Sequence, residues 1–375
     1  MKILSFICAF AVSLNIFCIT ASAEPSVSAK AAAVINGKTG TVIYSKNADT
    51  RLAMASTTKI MTALLLCEAG ELDKELTVTD KMVRVEGTSM GLTVGITVTR
   101  RDLLYGMLLS SGNDAANAAA VSVAGSVPAF IALMNCRAEE LGLENTHFET
   151  PSGLDGENHY TTAKELALLA SAALENNDFK EACSSKSVSL FYGDPPVRRT
   201  LTNHNKLLKS YDGLIGVKTG FTKKAGRCLV TAAERDGALV IAVTLNDPND
   251  WDDHRMLLDY GFSALEKVDI TECCEKVKVP VAGTENSVVI LKSNSMYVWL
   301  TEKEKKKLSV INFAPEFLYS PVEFGQSVGQ TDYYVNGKKI ATTELFVSGK
   351  AVYEYSDINF ARRLKNSLML LIKGL

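Results

Sequence analysis

The sequence predicts an α+β fold: one large domain whose antiparallel sheet is assembled from both of its ends with helices between, followed by a small all-β domain. Three observations point there. Strand-like segments near residue 31 and again from Leu214 to Leu245 flank a middle section dominated by helical patterns, the arrangement in which terminal strands come to share one sheet. At 375 residues the chain exceeds what a single hydrophobic core usually organises. Beyond about residue 270 the pattern changes to short runs separated by Gly, Asn and charged turns, as in small β domains.

Taken in order, the first residues read as a secretory leader. Lys2 precedes a largely apolar run from Ile3 to Ile19, and Ala21-Ser22-Ala23 supplies an A-x-A site, so cleavage is expected before Glu24. The run is short and interrupted by Asn15, which argues against a retained membrane helix. Residues 31–35 are apolar, Asn36 to Gly40 are turn formers and Thr41 to Tyr44 are β-branched or aromatic, a β-hairpin pattern. A helix is expected from near Ser56, because Ile60, Met61, Ala63, Leu64, Leu65 and Leu66 are apolar on nearly every face and so belong at the centre of a domain. Residues 101–141 read as helices around a tight loop at Ser110-Ser111-Gly112-Asn113, with a break near Gly125, and Thr161 to Leu174 reads as a further helix. Leu214 to Lys218, Cys228 to Ala233 and Leu239 to Leu245 read as strands, and a helix over Trp251 to Leu265 closes the domain.

The β-domain strands are expected at Val277 to Val281, Ser287 to Leu291, Tyr297 to Leu300, Val328 to Val335 and Lys339 to Val347. From Ser356 the periodicity is helical again. Ala361, Leu364, Leu368, Leu371, Ile372 and Leu375 form one stripe with Arg362, Arg363, Lys365 and Lys373 mostly to its sides, although Leu370 falls on the polar side. A basic amphipathic helix of this kind suits a membrane interface. The expected division is therefore a leader at 1–23, a large α+β domain at 24–270, a β domain at 271–355 and a membrane-associating helix at 356–375.

Composition removes several functions. Charges nearly cancel, at a formal −2, and no concentrated basic face is present, so a nucleic-acid partner is not expected. His147, His159, His204 and His254 show no H-E-x-x-H or other ligand spacing, and neither metal nor cofactor is expected. Cys67, Cys136, Cys183, Cys228, Cys273 and Cys274 follow no disulfide framework and include no C-x-x-C. Most read as buried small apolar residues, with Cys273-Cys274 left open.

The chemistry is carried by Ser56-Thr57-Thr58-Lys59, the only S-x-x-K in the chain. Helix positions three apart share a face, so hydroxyl and amine are held side by side, and the helix start adds partial positive charge and free N–H groups. A serine hydroxyl needs a neighbouring base. Lysine serves only when neutral, which requires burial or a second cation to lower its pKa from about 10.4. Ser111-Gly112-Asn113 and Lys218-Thr219-Gly220 follow in the order and surroundings that bring a helical lobe and a strand back to such a site. Lys38-Thr39-Gly40 is a second K-T-G, but it precedes the serine in a hairpin turn and is assigned to turn chemistry. Ser45-x-Asn47 and Ser13-x-Asn15 are stray matches to S-x-N.

With these residues the sequence resembles the penicillin-binding protein and serine β-lactamase superfamily, and more closely the low-molecular-mass D-alanyl-D-alanine carboxypeptidases. The supporting stretches are Ala55 to Thr62, Ser111 to Asp114, His159-Tyr160-Thr161-Thr162-Ala163 and Asp212 to Ala225. The resemblance implies a β-lactamase/transpeptidase-like domain and a partner, the peptidoglycan stem peptide ending in D-Ala-D-Ala, with β-lactams as covalent inhibitors. It implies Ser56 as nucleophile, Lys59 as base and Ser111 as proton relay. By the same resemblance, Asn113 would bond the substrate backbone, Lys218 and Thr219 would face its carboxylate, and the N–H groups of Ser56 and Phe221, beside Gly220, would hold the oxyanion. A carboxylate-binding arginine found in some relatives has two candidates here, Arg227 and Arg255.

A β-lactamase would share the acylation machinery, but no E-x-x-x-N of the class A type lies between Ser111 and Lys218. An inactive penicillin-binding scaffold would not need the complete set of catalytic residues. Transpeptidases differ in using an amine acceptor, which motifs do not resolve; the modest size and the expected lack of a membrane anchor favour the carboxypeptidase.

Overall fold

The computed structural model describes residues 24–193, 195–273, 276–282, 288–319, 321–348 and 360–373. The expected leader, its cleavage site and Cys274 lie outside the described residues.

The large domain is organised by a five-stranded antiparallel sheet. Its strands are β1 (Ala31–Asn36), β2 (Val42–Lys46), β3 (Leu214–Thr222), β4 (Gly226–Arg235) and β5 (Ala238–Leu245), in the order β2-β1-β5-β4-β3. Every residue of β1 and β5 is buried, so these strands are continuous apolar runs covered on both faces. Their two faces serve different cores. Ala31, Ala33, Ile35, Ile241 and Val243 join the helical lobe, whereas Ala32, Val34, Val240 and Ala242 pack with Leu257 and Leu258 of the closing helix, the alternation that a period of two imposes.

The lobe contains α1 (Lys59–Glu68), α2 (Arg100–Leu108), α3 (Asn113–Ala124), α4 (Val127–Glu140) and α5 (Ala163–Leu174), and α6 (Asp250–Ser263) covers the other face. Helix α1 has Ile60, Met61, Ala63, Leu64 and Leu66 all buried, as expected for a helix apolar on all sides. Its start differs from expectation, because Ala55–Thr58 form a 3-10 turn and the α-helix begins only at Lys59. Gly125 closes α3 in the left-handed conformation at φ 77°, where a residue without Cβ is favoured. Strand β3 runs on to Thr222, beyond the expected Lys218, because its polar end pairs through Thr222 with Gly226. A hairpin of Ser187–Tyr192 and Val197–Thr202 was not anticipated; its polar, half-exposed residues give no clean alternation.

The second domain is all-β. Its sheet comprises β6 (Val277–Ala282), β7 (Val288–Lys292), β8 (Leu308–Phe313), β9 (Leu318–Tyr319), β10 (Ser327–Val335) and β11 (Lys338–Ser348), in the order β8-β10-β11-β7-β6-β9. The strand at Tyr297–Leu300 pairs instead with Glu266–Asp269. The two domains meet at the turn carrying Lys38-Thr39-Gly40. The wholly buried carboxylate of Glu304 accepts hydrogen bonds from Thr39 Oγ1, from Asn36 Nδ2 at 3.2 Å and from Thr301 N at 2.6 Å. A helix, α7 (Phe360–Lys373), touches β6 and leaves Phe360, Leu364, Leu368, Met369 and Leu371 exposed. Among the described residues no single helix is long and apolar enough to cross a membrane.

Candidate active site

Ser56 sits in the 3-10 turn ahead of α1, preceded by Ala55 in the left-handed region at φ 48°. Three residues on, Lys59 is completely buried, and its Nζ lies 3.0 Å from Ser56 Oγ, 2.7 Å from Asn113 Oδ1 and 2.6 Å from the carbonyl of Ser152. A neutral amine has two hydrogens and one lone pair. Donating to Asn113 and Ser152 leaves that lone pair for the Ser56 hydroxyl proton. Burial, and then the neighbouring Lys218 charge, hold Lys59 well below its ordinary pKa, with Asp114 opposing.

Lys218 projects from edge strand β3, also buried, with Nζ 3.0 Å from the Thr219 carbonyl, and burial takes it down to about 7. Strand β3 lies directly on the turn that carries Ser56. A Cβ on Gly220 would stand 3.1 Å from the backbone nitrogens of both Ser56 and Thr57, a tight contact that glycine relieves. Ser111, between α2 and α3, adopts φ 60°, a left-handed conformation that costs energy for a residue with a side chain. Ser56, Ser111, Thr219, Gly220 and Phe221 line one cleft of about 330 Å³, together with Thr88, His204, Lys206, Arg227, Asp250 and Trp251.

Asn113 has a role that its motif did not reveal. Its carbonyl holds Lys59 and its Nδ2 donates to the Glu86 carbonyl at 2.7 Å, leaving one amide hydrogen for a ligand. The next residue, Asp114, is buried and accepts from Ser89 Oγ at 2.6 Å and from the backbone N–H groups of Met90, Gly91 and Leu92. The carboxylate thereby folds the 86–92 loop over the site. Of the two arginines, Arg227 reaches the cleft, paired to both oxygens of Asp250 at 2.8 Å and stacked 5.6 Å from the Trp251 ring. Arg255 instead bonds Ser210 and does not line the cleft. Cys67, Cys183 and Cys228 are buried free thiols, while Cys136 is exposed.

A half-buried serine in contact with a wholly buried lysine, with a second buried amine on the neighbouring edge strand and an open cleft alongside, can perform acyl transfer to serine. Known proteins are similar in both sequence and shape. Residues 19–249 match the family described as D-alanyl-D-alanine carboxypeptidase, and 271–354 match the C-terminal domain of penicillin-binding protein 5. D-alanyl-D-alanine carboxypeptidase DacF of Bacillus subtilis is 32% identical over 345 residues, 85% of each chain. Penicillin-binding protein 5 from Haemophilus influenzae superposes with a TM-score of 0.64 at 26% identity, covering 88% of this chain and 99% of that one. The Streptomyces K15 DD-transpeptidase gives 0.61 at 36% identity over 64% of this chain and 100% of its own.

Proposed function

The chain belongs to the D-alanyl-D-alanine carboxypeptidase family and is a serine-type, penicillin-binding D-Ala-D-Ala carboxypeptidase, and from that premise we propose that Ser56 is its nucleophile and Lys59 the base. The observation that carries this assignment is the 3.0 Å contact between Lys59 Nζ and Ser56 Oγ in a site that denies Lys59 its charge.

The reaction follows from these groups. The substrate carboxylate meets Lys218 and the Thr219 hydroxyl, and its peptide extends along the outer edge of β3, with Asn113 giving its remaining amide hydrogen to the substrate backbone. The Ser56 hydroxyl passes its proton to Lys59 as Oγ bonds the carbonyl carbon of the penultimate D-alanine. The oxyanion settles between the N–H groups of Ser56 and Phe221, each such donor worth roughly 3 to 4 kcal/mol in the transition state. Ser111 relays the proton to the leaving nitrogen, the C–N bond breaks and D-alanine departs. Water, deprotonated by the same amine, then cleaves the ester and restores Ser56. A β-lactam enters the same path through its strained amide, and its opened ring stays attached.

We assign 24–270 to the catalytic unit, 271–355 to the β domain and 356–375 to a membrane-associating tail, in an exported protein working at the outer face of the cytoplasmic membrane. The exposed apolar residues of α7 support the last assignment. Replacing Leu364 and Leu368 together with glutamate is expected to abolish co-sedimentation with anionic phospholipid vesicles, and undiminished sedimentation contradicts the assignment.

The decisive assay incubates the protein with a pentapeptide stem and measures free D-alanine. The wild type releases it and Ser56→Ala does not. No release from the wild type removes the carboxypeptidase activity, and release by Ser56→Ala removes the nucleophile.

A further inference from the structure

His159 lies in the stretch 159–163 that carries part of the family resemblance, yet nothing in the reaction above uses it. Its ring is buried, 3% exposed. Nδ1 accepts the Glu149 backbone N–H at 2.9 Å, so the ring proton sits on Nε2, which donates to Thr58 Oγ1 at 2.7 Å. The Thr58 hydroxyl donates onward to the Ala55 carbonyl at 2.8 Å. Every link in this chain has one donor and one acceptor.

The two ends of the chain are what matter. One end is the residue immediately before the nucleophile, held in a left-handed conformation. The other end is the start of the loop 149–159, and this loop supplies the Ser152 carbonyl to Lys59 at 2.6 Å and the Pro151 carbonyl to Thr62 at 2.6 Å. At Gly153 the loop presses against the same turn, since a Cβ there would lie 2.0 Å from the Ala55 carbonyl oxygen. We propose that His159 is a positioning residue for acylation, the pin that fixes the 149–159 loop on the nucleophile turn so that the Ser152 carbonyl aims the Lys59 amine while the loop excludes water from it. This rests on the assignment of Ser56 and Lys59 above.

Burial is the largest cause of the lowered Lys59 pKa, ahead of Lys218 and against Asp114. A loosened loop admits water, and the pKa of Lys59 then rises. The groups facing His159 are Glu149, Asp155, His147 and Lys224, and burial outweighs them all in holding the imidazole neutral, at about 4.

The test measures the second-order rate of acylation by a fluorescent penicillin across pH, per mole of folded protein. His159→Ala is expected to acylate about 10- to 100-fold more slowly, the penalty of a misplaced catalytic group, with the acid limb of its profile moved to higher pH. His159→Gln, whose Nε2 can still donate to Thr58, is expected to recover most of the rate. Thr58→Val leaves His159 in place but removes the hydroxyl that joins it to the Ala55 carbonyl, and it serves if His159→Ala does not fold; it should move the acid limb the same way. An unmoved limb and an unchanged rate in folded His159→Ala or Thr58→Val overturn the proposal. Acylation of Ser56→Ala in the same series overturns the underlying assignment instead, so the two failures are distinct.

Discussion

Two lysines within one site answer to different parts of the same physics. In the proposed roles Lys59 must be neutral to accept a proton, and Lys218 must be charged to hold a carboxylate; burial lowers the proton affinity of both, and the Lys218 charge lowers that of Lys59 further. The free enzyme is competent where Lys59 has lost its proton and Lys218 keeps its own. As pH rises through about 7 the Lys218 ammonium is lost, so kcat/KM for a substrate with a free carboxylate should decline on that side. The decline in kcat should come at higher pH, because a bound carboxylate stabilises the ammonium. Lys218→Arg, which stays charged, should remove the alkaline decline in kcat/KM; a decline that persists in the variant shows that another group governs it. At this scale the sequence was most informative where side chains form short spaced motifs, as at Ser56, Lys59, Ser111 and Lys218. It was silent on the backbone carbonyl that holds Lys59. The Ser152 carbonyl has no residue signature, and the engagement of Asn113 by Lys59 and Glu86 depends on a loop 27 residues before it in the chain.

The elements around the site are held by close contacts that tolerate little. Strand β3 touches the Ser56 turn at Gly220, the 149–159 loop touches it at Gly153, and the 86–92 loop hangs on Asp114. Gly153→Ala adds a methyl 2.0 Å from a carbonyl oxygen at a φ of +88°. It should cost at least about 2 kcal/mol of stability and most of the acylation rate, measured by denaturant unfolding and penicillin labelling. Asp114→Ala strands several buried N–H groups, each worth about 1 to 3 kcal/mol unpaired, and should lower the unfolding midpoint markedly. A midpoint equal to wild type would show that the 86–92 loop is held by something else. Helix α1 was legible because apolarity on all faces admits only a central position. The 3-10 turn before it was not, since φ at Ala55 is imposed by tertiary packing and alanine carries no signal for it. The hairpin at residues 187–202 escaped for the opposite reason, its strands being too exposed to show a pattern.

Across the whole molecule the same chemistry of burial appears in stability. His254 lies fully buried between Thr231 Oγ1 at 2.7 Å and Thr244 Oγ1 at 3.0 Å, and burial lowers it from 6.5 to about 3, with His159 at about 4. Unfolded chains bind these protons first as pH falls, so stability is intact above about pH 6.5 and is lost progressively from there toward 3. The ceiling is roughly 5 kcal/mol for His254. His254→Gln should flatten that slope in equilibrium unfolding, and an unchanged slope would assign it elsewhere. The two-domain plan was readable from the change of pattern near residue 270, but not the seam. The stray Lys38-Thr39-Gly40 turns out to dock its threonine on buried Glu304, a pairing that spans 265 residues and leaves no local trace. What the fold achieves is to bring Ser56, Ser111 and Thr219 from a turn, a loop and an edge strand to one cleft, with buried Lys59 in contact with Ser56 beneath it. The most direct test labels the protein with benzylpenicillin, digests it and locates the adduct by mass spectrometry. A single adduct on the peptide containing Ser56, absent from Ser56→Ala, is the expected result; an adduct on any other residue, or none at all, contradicts it.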